Sequence, residues 1–163
     1  MNPVRWGILG AAEIALTRVI PAMQSCEHSV VTSIASRVLN KAQAAATQHG
    51  IAHAYGSYAA LLDDTNIDVV YNPLPNHLHL EWSARALRAG KHVLCEKPIA
   101  MNQAEVHELI RVRDETGLHI EEAVMIRNHP QWSAILELIA ANTIGTPQSI
   151  QLAYAYREKN RND

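Results

Sequence analysis

Two stretches of this sequence carry residues whose types and spacing could do chemistry. The first is Gly7-Ile8-Leu9-Gly10-Ala11-Ala12-Glu13-Ile14-Ala15. Aligned on Gly10 it reads G-x-A-x-x-A, a relaxed dinucleotide fingerprint. Its first position makes a tight turn, its second lets the backbone approach a pyrophosphate, and its third lets a helix pack closely on a strand. Backbone N–H groups over Gly10, Ala11, Ala12, Glu13 and Ile14 would face phosphates at the positive end of a helix dipole. Ala12 puts a methyl where a hydrogen is usual, so phosphates would sit slightly higher. A tight strand-to-helix turn without a ligand is the other reading. The second stretch is GKHVLCEKPIA, residues 90–100. An apolar strand there ends in a carboxylate, an ammonium and a proline, Glu96-Lys97-Pro98. A strand end that only had to turn would favour Gly, Asn, Asp or Ser. A surface Glu–Lys pair of little energetic worth is the alternative.

The end of the second strand selects between nucleotides. An NAD site places Asp or Glu there, on the ribose 2′-hydroxyl, whereas an NADP site avoids that charge and supplies a cation. Here the strand ends Ile34-Ala35-Ser36-Arg37, with Lys41 one turn into the next helix and no acid beside it. Ser36 can donate a hydrogen bond and Arg37 can clamp a 2′-phosphate. NADP is therefore expected, with NAD the second choice. Arg37 as a solvated loop cation is the alternative.

These residues need a frame, and the hydrophobic pattern supplies one. Strands are expected over Val4–Leu9, Val30–Ala35, Val69–Tyr71, His92–Cys95 and His119–Val124, with a weaker one over Ala52–Tyr55. Helices are expected over Ala12–Met23, Asn40–His49, Tyr58–Leu62, His79–Ala89 and Asn102–Thr116. Alternating β and α elements, with strands apolar on both faces, predict an α/β fold: a doubly wound parallel sheet. Asn40 and Asn102 are placed to cap helices that Gly50 and Gly117 stop.

Beyond Val124 the pattern changes. A helix is expected over Gln131–Ala141, with Trp132, Ile135, Leu136 and Ile139 on one face. A one-sided strand follows over Ser149–Tyr156, open to pairing with a copy of itself as a route to a homo-oligomer. Residues 1–125 are thus expected to form a dinucleotide-binding domain, and 126–163 a linker helix and first strand of a truncated second α+β domain.

Composition narrows the partners. The chain has 163 residues, 48% of them hydrophobic, and a formal charge of −2. Interspersed charges lack the basic face that nucleic acid would require. No apolar run reaches the roughly 18 to 20 residues that span a bilayer, and the N-terminus lacks signal-peptide form. Cys26 and Cys95 are expected as buried thiols in a reducing, cytoplasmic compartment. His77 and His79 have no Cys, Asp or Glu at ligand spacing, so no metal is expected.

Taken together, WGILGAAEIA, SIASR, YGSYAALL, DVVYNPLPNHLHLEWSARALRAGKHVLCEKPIA and HPQW resemble the oxidoreductase family of glucose-fructose oxidoreductase, inositol dehydrogenase and the rhizopine-catabolism protein. The nearest flavour is that of NADP-linked sugar and trans-dihydrodiol dehydrogenases. The resemblance implies that Lys97 is catalytic, holding the oxygen of the reacting carbon and stabilising its developing charge as hydride moves. It also implies that a desolvated Lys97 shares in proton transfer. Glu96 would hydrogen-bond near the nicotinamide ribose, and a cis bond before Pro98 would hold Lys97 in place. Pro73, Leu74, Pro75, Asn76 and His79 would lie against the cofactor, and Arg127 would contact cofactor or substrate. The substrate would be a sugar, polyol or diol. Members run to about twice this length, and their second domain supplies the other pocket wall and an acid/base. A non-catalytic dinucleotide-binding module or truncated remnant is the alternative.

Overall fold

The computed structural model describes residues 2–153 and 155. It divides into two compact units, Met1–Val124 and Met125–Asp163. The first unit holds six strands: β1 (Val4–Leu9), β2 (Ser29–Ala35), β3 (His53–Tyr55), β4 (Val69–Asn72), β5 (His92–Cys95) and β6 (Ile120–Glu122). All pair in parallel, in the order β3-β2-β1-β4-β5-β6. That order places a topological switch point between β1 and β4, where open α/β sheets leave a crevice at the carboxyl edge.

The sheet is buried on both faces because its central strands are apolar at successive positions. Ile8 and Leu9 are both fully buried, Ile8 in a core with Ile20, Ile34, Ala45 and Tyr71, Leu9 in a core with Leu61, Val70, Leu87 and Val112. Successive side chains of a strand point to opposite faces, so one strand feeds two cores. Each such side chain stabilises the fold by about 1.5–3 kcal/mol. One face is covered by α3 (Tyr58–Leu62), α4 (His79–Arg88) and α5 (Gln103–Thr116), the other by the first helix and α2 (Leu39–His49). Among the described residues no helix is long and apolar enough to cross a membrane.

The first helix differs from the expected plain α-helix over Ala12–Met23. It contains a π-helical stretch, Ala15–Val19, followed by α1 (Ile20–Gln24). Pro21 has no N–H, and its ring clashes with the carbonyl four residues back in a regular α-helix; the wider π turn relieves that clash. Asn40 does not cap α2. Val38 takes the N-cap position, without a side-chain cap, and Asn40 lies inside the helix. Asn102 does cap α5, its Oδ1 accepting from the Glu105 N–H at 3.0 Å. The last strand is shorter than expected, Ile120–Glu122. Cys26 is exposed rather than buried, because it falls in the turn before β2; Cys95 is buried.

In the second unit, the turn Met125–Asn128 leads into α6 (Pro130–Ala140), which has no buried residue. His129 caps α6, its Nδ1 accepting from the Gln131 N–H at 3.2 Å. The strand expected over Ser149–Tyr156 is not formed at 149–153; Tyr154 and Tyr156 lie outside the described residues. A one-faced strand needs a partner for its backbone groups, and among the described residues none pairs with it.

Candidate functional site

Parallel strands all end at one edge, so their following residues gather there although the sequence scatters them. Gly10 follows β1, Ser36 follows β2, Gly56 follows β3, Pro73 follows β4 and Glu96 follows β5. Backbone pairing continues into the loops. Gly10 N–H donates to Ala35 O at 2.8 Å, Ser36 N–H to Tyr55 O at 3.0 Å, and Glu96 N–H to Asn72 O at 3.0 Å. The expected site residues of the first unit therefore share one edge.

Gly10 has a φ of +87°, a conformation that residues with a Cβ rarely adopt. A Cβ there would also lie 2.9 Å from Leu74 Cδ2. The loop after β4 thus crosses the switch point and rests on the turn after β1. Ala15, the third fingerprint position, is fully buried, while Ala11 and Ala12 are half-buried and Glu13 and Ile14 exposed. The opening N–H groups of this helix have no intrahelical partner, which suits them to an anion.

At the end of β2, Ser36 is buried and its Oγ accepts from the Val38 N–H at 3.3 Å. The hydroxyl proton stays available for donation. Arg37 and Lys41 are exposed. Arg37 borders an open cavity of about 370 Å³ with Ser57, Tyr58, Leu78 and Trp82. The Tyr58 and Trp82 rings meet edge to face at 5.0 Å, and the Arg85 guanidinium lies 4.5 Å from the Trp82 centroid. Sequence reading placed Tyr58 and Trp82 only in helices. The available signal was the Gly56-Ser57 pair closing β3, since every strand end of a parallel sheet faces the same crevice.

The loop after β4 is only partly open. Pro73 and Leu74 are buried, and Pro75 and Asn76 exposed. His79 is fully buried. Its Nε2 lies 2.6 Å from Leu74 O and its Nδ1 2.7 Å from Pro98 O. Expected as a cofactor contact, its ring is instead spent on two backbone carbonyls, because α4 packs its first turn beneath the loops.

After β5, Glu96 is half-buried and Lys97 exposed. The Tyr71 hydroxyl donates to Glu96 Oε1 at 2.6 Å, and the Lys97 N–H donates to Glu96 Oε2 at 3.3 Å. Burial, then the bond to Glu96, pushes the Tyr71 hydroxyl well above its usual range. Tyr71 therefore stays a donor and fixes the carboxylate, whose Oε2 keeps, beside the Lys97 N–H, further capacity to accept. The Lys97–Pro98 bond is cis. The resemblance implies a desolvated Lys97, whereas in this chain the residue is exposed. Arg127 is exposed in the Met125–Asn128 turn of the second unit.

Comparison with known proteins agrees with this geometry. Residues 4–123 match the Gfo/Idh/MocA profile, described as an oxidoreductase family with an NAD-binding Rossmann fold. An uncharacterized oxidoreductase, ORF334, of Rhizobium meliloti is 54% identical over 93% of this chain and 45% of its own length. D-xylose 1-dehydrogenase (NADP(+)) 2 of Haloferax volcanii is 42% identical over 93% of this chain and 46% of its own. The solved structure of KijD10, a 3-ketoreductase from Actinomadura kijaniata in complex with NADP and TDP-benzene, superposes with a TM-score of 0.81 at 40% identity. The match covers 86% of this chain and 43% of that one. The chain spans about half the length of the curated relatives it matches.

Proposed function

The chain belongs to the Gfo/Idh/MocA oxidoreductase family, and we propose that it is the cofactor-binding half of an NADP-dependent oxidoreductase. Its reaction is hydride transfer between the nicotinamide and a carbinol carbon of a sugar, polyol or dihydrodiol. One observation carries this reading: the Gly10 turn, the acid-free Ser36-Arg37 strand end and Lys97 all stand at one edge of a sheet in the order β3-β2-β1-β4-β5-β6.

When bound, NADPH supplies the hydride. The N–H groups over Gly10–Ile14 receive its pyrophosphate. Ser36, Arg37 and Lys41 hold the 2′-phosphate, and the cavity beside Trp82 receives the adenosine end. Pro73, Leu74, Pro75 and Asn76 would line the cofactor, and Glu96 would accept a hydrogen bond from its nicotinamide end. Lys97 donates to the oxygen of the reacting carbon and stabilises the charge that develops there. The free cysteines fit a reducing compartment, and we place the protein in the cytoplasm.

The exposure of Lys97 favours weak turnover by this chain alone, since hydride transfer needs two reactants held in an attack geometry. Calorimetric titration with NADPH and, separately, NADH tests the reading. Preferential NADPH binding is expected. Binding of neither would overturn it, and equal binding of both would remove the 2′-phosphate assignment.

A further inference from the structure

Among the described residues Tyr71 is the largest side chain buried completely. Its ring fills the core shared with Ile8, Ile20 and Ile34. A hydroxyl in such a core is costly unless it is bonded. This one donates to Glu96 Oε1 at 2.6 Å, across 25 residues, at the end of the neighbouring strand β5. The distance is that of a hydroxyl on a carboxylate, a bond roughly twice as strong as one between neutral groups.

The main chain around Glu96 is held by other contacts. Glu96 N–H donates to Asn72 O at 3.0 Å, and beyond Lys97 and Pro98 the Ile99 N–H donates to Glu122 Oε1 at 2.8 Å. Strands β4 and β6 thus seat the two ends of the loop. The Glu96 carboxylate itself has, besides Tyr71, only the N–H of its own neighbour Lys97 at 3.3 Å among the described residues, longer than the usual range for such a bond. Loss of the Tyr71 hydroxyl would therefore free the carboxylate to swing without unseating the loop.

We propose that Tyr71 is a positioning residue: from within the core its hydroxyl fixes the direction of the Glu96 carboxylate, so that the nicotinamide end of the cofactor meets an acceptor already in place. The proposal rests on the cofactor reading above for the ligand and on geometry for the hold. A side chain ordered beforehand spares the cost of ordering it on binding. Tyr71 acts only through Glu96, which separates it from a residue that merely fills the core.

Tyr71→Phe removes the hydroxyl and keeps the ring, so the core stays filled. NADPH affinity is expected to fall about fivefold, the scale of ordering one side chain on binding. Adenosine 2′,5′-bisphosphate, which lacks the nicotinamide end, should bind within twofold of the unaltered chain. Equal losses for both nucleotides, or no loss for NADPH, overturn the proposal. In a Glu96→Ala background, adding Tyr71→Phe should change NADPH affinity less than twofold; a further fivefold loss there would mean that Tyr71 acts by another route, and overturns it too. Should a variant not fold, proton NMR of the unaltered, nucleotide-free chain decides on the hold. The Tyr71 hydroxyl proton should be visible and slow to exchange, and free exchange with water overturns the proposal. If the unaltered chain binds neither nucleotide, the cofactor reading fails and takes the nicotinamide contact with it, while that spectrum still decides whether Tyr71 holds Glu96.

Discussion

Leu74 Cδ2 occupies the place beside Gly10 that a side chain would need, 2.9 Å from where a Cβ would stand. With its φ of +87°, Gly10 is excluded from substitution by both strain and space. Gly10→Ala should cost roughly 1–3 kcal/mol in stability and displace Leu74 or the turn. Chemical denaturation would show the first effect, and loss of NADPH binding in calorimetry the second. An alanine variant of unchanged stability and affinity would mean that neither constraint operates.

Arg37 is exposed beside the cavity lined by Tyr58 and Trp82. Arg37→Ala should weaken NADPH about tenfold or more, the scale of a lost charge-assisted hydrogen bond, while leaving NADH nearly unchanged. Equal losses for both nucleotides would detach Arg37 from the 2′-phosphate.

Lys97 sits at the end of β5 with its side chain exposed. Lys97→Ala should leave NADPH affinity within about twofold. In a form of the protein that also carries the substrate half, it should lower kcat by about a hundredfold or more, as loss of a charge-stabilising donor does. Undiminished turnover would remove Lys97 from the chemistry.

At the opposite edge of the sheet, Arg5 holds Asp68 by its backbone N–H and Nε at 2.9 Å each and by Nη2 at 2.5 Å. The hydrogen bond from Arg5 outweighs burial and holds the Asp68 carboxyl down to about 2. Between that value and the ordinary one near 3.8, the unfolded chain binds more protons than the folded one. The stabilisation is therefore complete above the ordinary value and is lost as pH falls through the folded one. Asp68→Asn should lower the urea midpoint at neutral pH, and its difference from the unaltered chain should shrink as pH falls from about 4 to about 2. A difference that persisted at low pH would locate the effect in packing instead.

Cys95 is buried, and burial pushes its thiol up to about 12; Cys26 is exposed. The thiolate is the reactive form, so a chromogenic disulfide should modify only Cys26 in the folded chain and both cysteines after unfolding. Two equivalents reacting at the same rate before unfolding would contradict the burial of Cys95.

Local structure was legible because its causes are local. Apolar runs and glycine stops bound β1, β5 and α3 at the residues expected, and most other elements within one or two. The misplaced features have causes outside the local pattern used to read them. Asn40 is a good cap by type, yet the chain enters α2 at Val38. Pro21 widened the first helix beyond the plain α form. The strand expected over 149–156 lacked a partner among the described residues.

By itself the sequence determined the alternation of strands and helices, the acid-free end of β2 and the Glu96-Lys97-Pro98 ending of β5. Short-range periodicity and residue type are sufficient for those. Only the tertiary structure decided that Leu74 covers Gly10, that Trp82 and Tyr58 wall the cavity beside Arg37, and that the His79 ring reaches Pro98 O across 19 residues. These pairings follow from strand order and helix packing, which bring distant segments into contact through burial, a force that is non-directional and leaves no local mark on the residues that finally meet.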